Sequence, residues 1–150
     1  MHKRPALRRR AAGVLALVVF ATAAGTAAEK RIVYPKGAGP GGNFSPGILV
    51  GDTLYVSGQA GEDKDGKVPD SFEAEVQQAL DNIGAVLDAA GMKPSDVVSV
   101  QAYLTDGTRF ERFNKVYTSY FKEPRPTRTT VVVAKLVGPG HVEITVTARK

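Results

Sequence analysis

One stretch decides most of what this chain can fold into. Across residues 71–90, Phe72, Val76, Ala79, Leu80, Ile83, Val86, Leu87 and Ala90 recur at intervals of three and four. On an α-helix that spacing lines them along one face. Asp70 with Glu73 offers a capping box before the stripe, and Gly91 stands where a terminating glycine belongs. A helix that is apolar on one side must bury that side, and the flanking segments supply a sheet to bury it against. Residues 97–104 alternate through Val98, Val100 and Ala102, residues 129–134 are β-branched almost throughout, and residues 142–148 alternate again. Residues 48–50 and 53–57 flank Gly51-Asp52, a two-residue hairpin signal, and the glycine of Ser57-Gly58-Gln59 permits a bulge or a close backbone approach. Thr108 with Glu111 can cap a second helix whose apolar face is Phe110, Phe113, Val116, Tyr117, Tyr120 and Phe121, ended by Pro124. The order β-β-α-β-α-β-β places the chain in the α+β class, with two helices packed on one face of a mixed sheet.

The N-terminus reads differently. Residues 1–10 carry Lys3, Arg4, Arg8, Arg9 and Arg10 with no acid, residues 11–24 are uncharged and apolar, and Gly25-Thr26-Ala27-Ala28 is a run of small residues. This is the pattern of a secretory signal peptide over residues 1–28, cleaved after Ala28 or Ala27, with the mature protein exported to the periplasm or the medium. The apolar run is shorter than the ~20 residues of a spanning helix, although an uncleaved anchor is the competing reading. Residues 29–43, rich in Gly and Pro, form an irregular lead-in, and residues 44–150 form one domain. Five of the 20 basic residues and none of the 15 acidic ones fall in residues 1–28, so the mature chain holds 15 of each. The basic character belongs to the leader, and no basic patch argues for nucleic acid. There is no cysteine, hence no disulfide, thiol nucleophile or thiolate-bound zinc, and the mature chain's one histidine, His141, argues against a histidine-based metal site or a Ser-His triad.

Two charged residues stand out. Arg128 leads an apolar strand after Pro124 and Pro126, sharing a face with Thr130 and Val132. Its guanidinium fork suits a carboxylate, bound bidentately, and the competing reading is a surface salt bridge at a sheet edge. Glu143 shares a face of the last strand with His141, Thr145 and Thr147 and could pair with the arginine strand; the plainer reading is again a cross-strand salt bridge.

Several short motifs occur in order: Phe44-Ser-Pro-Gly, Val56-Ser-Gly-Gln, Ala85-Val-Leu-Asp-Ala-Ala-Gly91, Asp96-Val-Val, Leu104-Thr-Asp, Phe113-Asn-Lys-Val-Tyr117, Pro126-Thr-Arg-Thr-Thr-Val and Val142-Glu-Ile-Thr-Val. Singly each is weak, but the ordered set resembles the Rid family of YjgF-type reactive-intermediate deaminases, RidA being its best-known branch. The resemblance implies a chorismate-mutase-like fold and a homotrimer with clefts between adjacent subunits. It implies hydrolysis of 2-imino or enamine acids, of the 2-iminopropanoate and 2-iminobutanoate type, to 2-keto acids and ammonia, with no metal or organic cofactor. By the same resemblance Arg128 clamps the substrate carboxylate, Glu143 positions and activates water, Gly58 lines the pocket, and Asn114 and Tyr117 come from the second helix. Phe44 and Thr130 stand where many deaminating members carry tyrosine and cysteine, and Thr130 still presents a hydroxyl. The alternatives are a non-enzymatic trimeric binder of small carboxylic acids, or a Rid-type hydrolase with another substrate. Neither nucleic acid nor a stable membrane association after leader removal is expected.

N-terminal sequencing of protein from the source cell's envelope fraction should begin at Glu29 or Ala28. An intact Met1 in the membrane pellet would overturn the leader reading.

Overall fold

The computed structural model describes residues 27–150, so the leader expected over residues 1–28 lies outside the described residues but for Ala27 and Ala28. In chain order the elements are β1 (Lys30–Val33), β2 (Gly47–Val50), β3 (Thr53–Ala60), α1 (Phe72–Ala89), β4 (Val97–Leu104), α2 (Phe110–Tyr120), β5 (Thr127–Val132) and β6 (Val142–Arg149). The strands form one sheet in the order β1-β2-β3-β6-β4-β5, antiparallel except where β5 runs parallel to β4. The expected α+β layer of two helices on a mixed sheet is present, with one strand more than the sequence reading gave. Part of the supposed lead-in is β1, which pairs with β2 from Lys30↔Val50 to Val33↔Gly47. Its short β-branched core, Ile32 and Val33, is masked in sequence by the glycines and prolines that follow. Val33 is nonetheless fully buried.

The α1 stripe packs as its spacing requires. Phe72, Val76, Ala79, Leu80, Ile83, Val86 and Leu87 are all buried, against Leu54 and Val56 of β3 and the inward row Val142, Ile144, Val146 and Ala148 of β6. Val100, Ala102 and Leu104 of β4 complete that face. The helix start differs from expectation. Ser71, not Asp70, is the N-cap, with extended backbone and its Oγ accepting from Ala74 N at 3.2 Å. The expected capping box fails because Glu73 is recruited elsewhere: Arg112 of α2 donates to both its oxygens, at 2.7 and 2.6 Å. The Arg112 guanidinium holds the Glu73 carboxyl down at about 2. At the other end Gly91 takes φ +69°, its amide donates to Asp88 O at 2.9 Å, and the amide of the buried Met92 donates to Leu87 O at 2.9 Å. That is the paired bonding of a left-handed glycine stop.

The second helix is also entered differently. Asp106 rather than Thr108 does the capping: its Oδ1 accepts from the Thr108 amide at 2.9 Å, shaping a single 3-10 turn that runs into α2. Phe113 and Tyr117 on α2 and Phe121 just beyond it are buried, while Phe110 is partly exposed. The hairpin at Gly51-Asp52 joins β2 to β3 as expected, with Val50 opposite Thr53 and Gly51 at φ +59°.

Leu80 has no exposed surface, so Leu80→Ala should lower unfolding free energy by about 2–5 kcal/mol. Ser71→Ala, which removes only the cap, should lower it by ~1 kcal/mol. Guanidinium unfolding midpoints of the two variants check both the values and their order.

Candidate active site

Arg128 lies opposite Val100 in the parallel β4–β5 register, and Thr130 opposite Ala102. Partners in register share a face, so both project on the helix side of the sheet, at its edge. There α2 provides a lining: Phe110, Phe113, Asn114 and Tyr117 are three or four residues apart and fall on one face of the helix. Arg128 Nη2 donates to Asn114 Oδ1 at 2.8 Å. The guanidinium carbon lies 4.4 Å from the Tyr117 ring centroid, 5.4 Å from that of Phe113 and 5.6 Å from that of Phe110. Electron-rich ring faces attract the cation and fix its plane. Among the described residues no carboxylate pairs with Arg128. Beneath it the Tyr117 hydroxyl and Thr130 Oγ1 are both buried with no hydrogen-bond partner among the described residues. Burial pushes the Tyr117 phenol above its ordinary value.

Glu143 is in a different place. It sits in β6 opposite Ala60 of β3 and Tyr103 of β4, on the face away from α1 and α2. The β3–β6 register shifts between Val56 and Gln59, so Gly58 lies in a bulge. A Cβ on Gly58 would collide with Glu143 Oε1 and stand 2.8 Å from its Cδ, so any side chain here would push the carboxylate out of the position it holds. The loop holding Phe44 is tied to the same bulge: Ser57 Oγ donates to Ser45 O at 2.7 Å, and Ser57 N to Pro46 O at 3.0 Å. Phe44 itself is 71% exposed.

The sequence-predicted residues therefore form two groups. Arg128, Thr130, Asn114 and Tyr117 meet on the helix side; Glu143, Gly58 and the Phe44 loop meet on the other. Glu143 does not pair with the arginine strand, as the sequence allowed, because β6 enters the sheet between β3 and β4 and leaves β4 between itself and β5. The salt-bridge readings fall with it, since Glu143 too has no ion-pair partner among the described residues.

Sequence reasoning missed Glu75. This carboxylate is 1% exposed, inside α1's apolar stripe. Its Oε1 accepts from the amides of His141 and of Val142, the latter at 3.1 Å, and its Oε2 lies 2.9 Å from His141 Nδ1. The available signal was an acidic residue three positions after Phe72, on the side that must be buried. Among the described residues no three His, Asp or Glu side chains are gathered as a metal ion would need.

The model of the Endoribonuclease L-PSP family matches residues 36–150. A RutC family protein of Saccharolobus solfataricus is 43% identical over 124 residues, covering 81% of this chain and 98% of that protein. A 2-iminobutanoate/2-iminopropanoate deaminase of Dermatophagoides farinae is 39% identical over 118 residues, covering 77% of this chain and 92% of that protein. Among solved structures, E. coli TdcF with bound serine superposes with a TM-score of 0.75 at 29% identity, covering 80% of this chain and 98% of that chain.

Because the Tyr117 hydroxyl is buried without a partner, Tyr117→Phe should leave stability unchanged or raise it by up to ~1 kcal/mol. A loss above ~1 kcal/mol in thermal unfolding would reveal a partner supplied by another copy or by ordered water.

Proposed function

The chain belongs to the Endoribonuclease L-PSP family, the YjgF/Rid group, and on that footing we propose that it hydrolyses small 2-imino acids to 2-keto acids and ammonia. One observation carries the reading: Arg128 and Glu143, each set in prepared surroundings, have no ionic partner among the described residues. Charges not spent on holding the fold are free for substrate. The deaminase named in Dermatophagoides farinae supplies the reaction class.

Arg128, its plane fixed by Asn114 and Tyr117, grips the substrate carboxylate through two charge-assisted bonds. The protonated imine carbon is already electrophilic. Glu143 takes a proton as water adds to that carbon, and the C=N π pair moves to nitrogen. The proton then passes to the amine, the C–N bond breaks, ammonia leaves and the carbonyl forms as the hydroxyl loses its proton. Positioning supplies much of the rate, and one carboxylate serves as both base and acid.

Two strand spacings separate β5 from β6, about 10 Å before the sheet's thickness is added, and the side chains project from opposite faces. A three- or four-carbon acid does not span that within one copy. The reading therefore places the substrate where Arg128 of one copy meets Glu143 of the next, in a homotrimer. The face away from α1 and α2 is suited to such docking. Tyr55 is 54% and Val131 42% exposed there, and Val131 with Gln101, Tyr103 and Thr129 lines a cleft of about 230 Å³. The leader pattern over residues 1–28 supports export of the protein, with this activity outside the cytoplasm.

A second reading is a binder of small amino or carboxylic acids, favoured by the bound serine in TdcF. It needs Arg128 but not Glu143.

The test couples an amino-acid oxidase to the purified protein and measures imine lifetime by semicarbazide trapping. Glu143→Gln should lower kcat by roughly 10²–10⁴-fold, and Arg128→Lys should raise KM roughly ten- to hundredfold. Co-refolding Arg128→Ala with Glu143→Ala should restore roughly a quarter of wild-type turnover, the share of interfaces in a random mixed trimer that unite both residues. Equal activity of wild type and Glu143→Gln would end the deaminase reading in favour of the binder.

A further inference from the structure

Resting on that reading, we propose that Glu75, in the core of the opposite face, is a positioning residue for Glu143. The ladder between β3 and β6 stops at Ala60↔Glu143. Beyond it, among the described residues, β3 offers no acceptor to the next amides, those of Val142 and His141. Glu75 Oε1 accepts from both, so a helix side chain completes the ladder where β6 begins, one residue before Glu143. Its second oxygen holds the His141 ring through Nδ1 at 2.9 Å.

The other strand flanking Glu143 is fixed from the same helix. Ala60 is followed at once by Gly61, where a Cβ would collide with the Glu75 carbonyl oxygen and stand 2.5 Å from its Cγ. The end of β3 thus lies directly on the backbone of Glu75. Two turns further along α1, Asn82 Nδ2 donates to the carbonyls of Ala60 and Glu62, both at 2.9 Å. Gly140 closes the opposite side, its notional Cβ 3.0 Å from Glu75 Oε1. Glu143 is therefore bracketed by two strand ends, and Glu75 touches both.

A carboxylate in an apolar stripe is unfavourable unless its hydrogen bonds are made, and here three donors converge on it. Packing alone would be served as well by an apolar side chain of that length. What an apolar side chain cannot do is take up the two amides. A reacting group displaced by ~1 Å forfeits about a hundredfold in rate, so loosening the first residues of β6 acts on turnover. Arg128 lies on β5, two strands away, and Glu75 does not touch it. Carboxylate binding should be indifferent to the change.

The test compares two variants of similar volume. Glu75→Met fills the site but accepts no hydrogen bond, and Glu75→Gln keeps an acceptor oxygen. In the imine-trapping assay, Glu75→Met should lose roughly 10- to 100-fold in kcat, per folded protein, with KM within about twofold of wild type. Glu75→Gln should recover most of that loss. Amide hydrogen exchange gives an arm that needs no activity: His141 and Val142 should exchange at least about tenfold faster in Glu75→Met and near the wild-type rate in Glu75→Gln. An unchanged kcat in folded Glu75→Met, a KM that rises in step, or unaltered protection of the two amides overturns the proposal. If the wild type hydrolyses no imine, the deaminase reading fails instead, and the exchange arm alone decides whether Glu75 fixes the start of β6.

Discussion

The return of β6 into the middle of the sheet, between β3 and β4, is the constraint on which the other features depend. Its inward row Val142, Ile144, Val146 and Ala148 is wholly buried, so α1 has an apolar floor to lie on. Because β6 takes the inner edge of β4, β5 is left with the outer edge, parallel to β4, and a parallel partner needs a crossover. That crossover is α2. A crossover helix packs over the strands it joins, and so the aromatic face of α2 comes to rest on Arg128. One topological choice thus supplies the core, the edge position of the arginine and its lining of rings.

The helix side of the sheet also carries two charges in apolar surroundings, and the protein solvates them in different ways. Glu75 is fully buried and surrounded by directed donors from the start of β6. Arg128 is half-buried, with one amide oxygen and three ring faces around a delocalised cation. A compact oxyanion needs hydrogen bonds; a planar guanidinium, weakly hydrated to begin with, accepts stacking in their place. The first arrangement leaves nothing over and suits a scaffold. The second leaves donors of the fork unspent and suits a binding site.

What could be read from the sequence was local. The α1 stripe and the alternation of β6 are periodicities of 3.6 and two that the folded chain keeps, as it keeps the Gly51-Asp52 hairpin. β4 alternates as expected from Val100 on, but an irregularity between Val97 and Ser99 buries Val97 and turns Val98 out to solvent. Gly58 could be flagged as a bulge or a close approach, and it is both. The failures are non-local. Glu73 left its expected capping role for Arg112, 39 residues further on, which no window around residue 73 could reveal. Glu75 looked like one more acid on a helix until β6 was laid beside it. The residue types at Arg128 and Glu143, and their strand faces, were legible. Their separation was not, because consecutive strands are neighbours only about two times in three, and β5 and β6 are among the exceptions.

The contact between Gly58 and Glu143 imposes a direction on sequence drift. While the carboxylate is in place, a side chain at position 58 meets its far end and would push it aside, so that glycine is tied to where the glutamate stands rather than to its own backbone, whose φ is not positive. Shortening Glu143 first opens the space and releases Gly58 to vary; the reverse order displaces the carboxylate. A lineage that needs the carboxylate where it stands would therefore keep glycine at 58. A chain that had replaced this glycine would hold a carboxylate at 143 in some other place, and the identity of residue 58 records where that carboxylate stands.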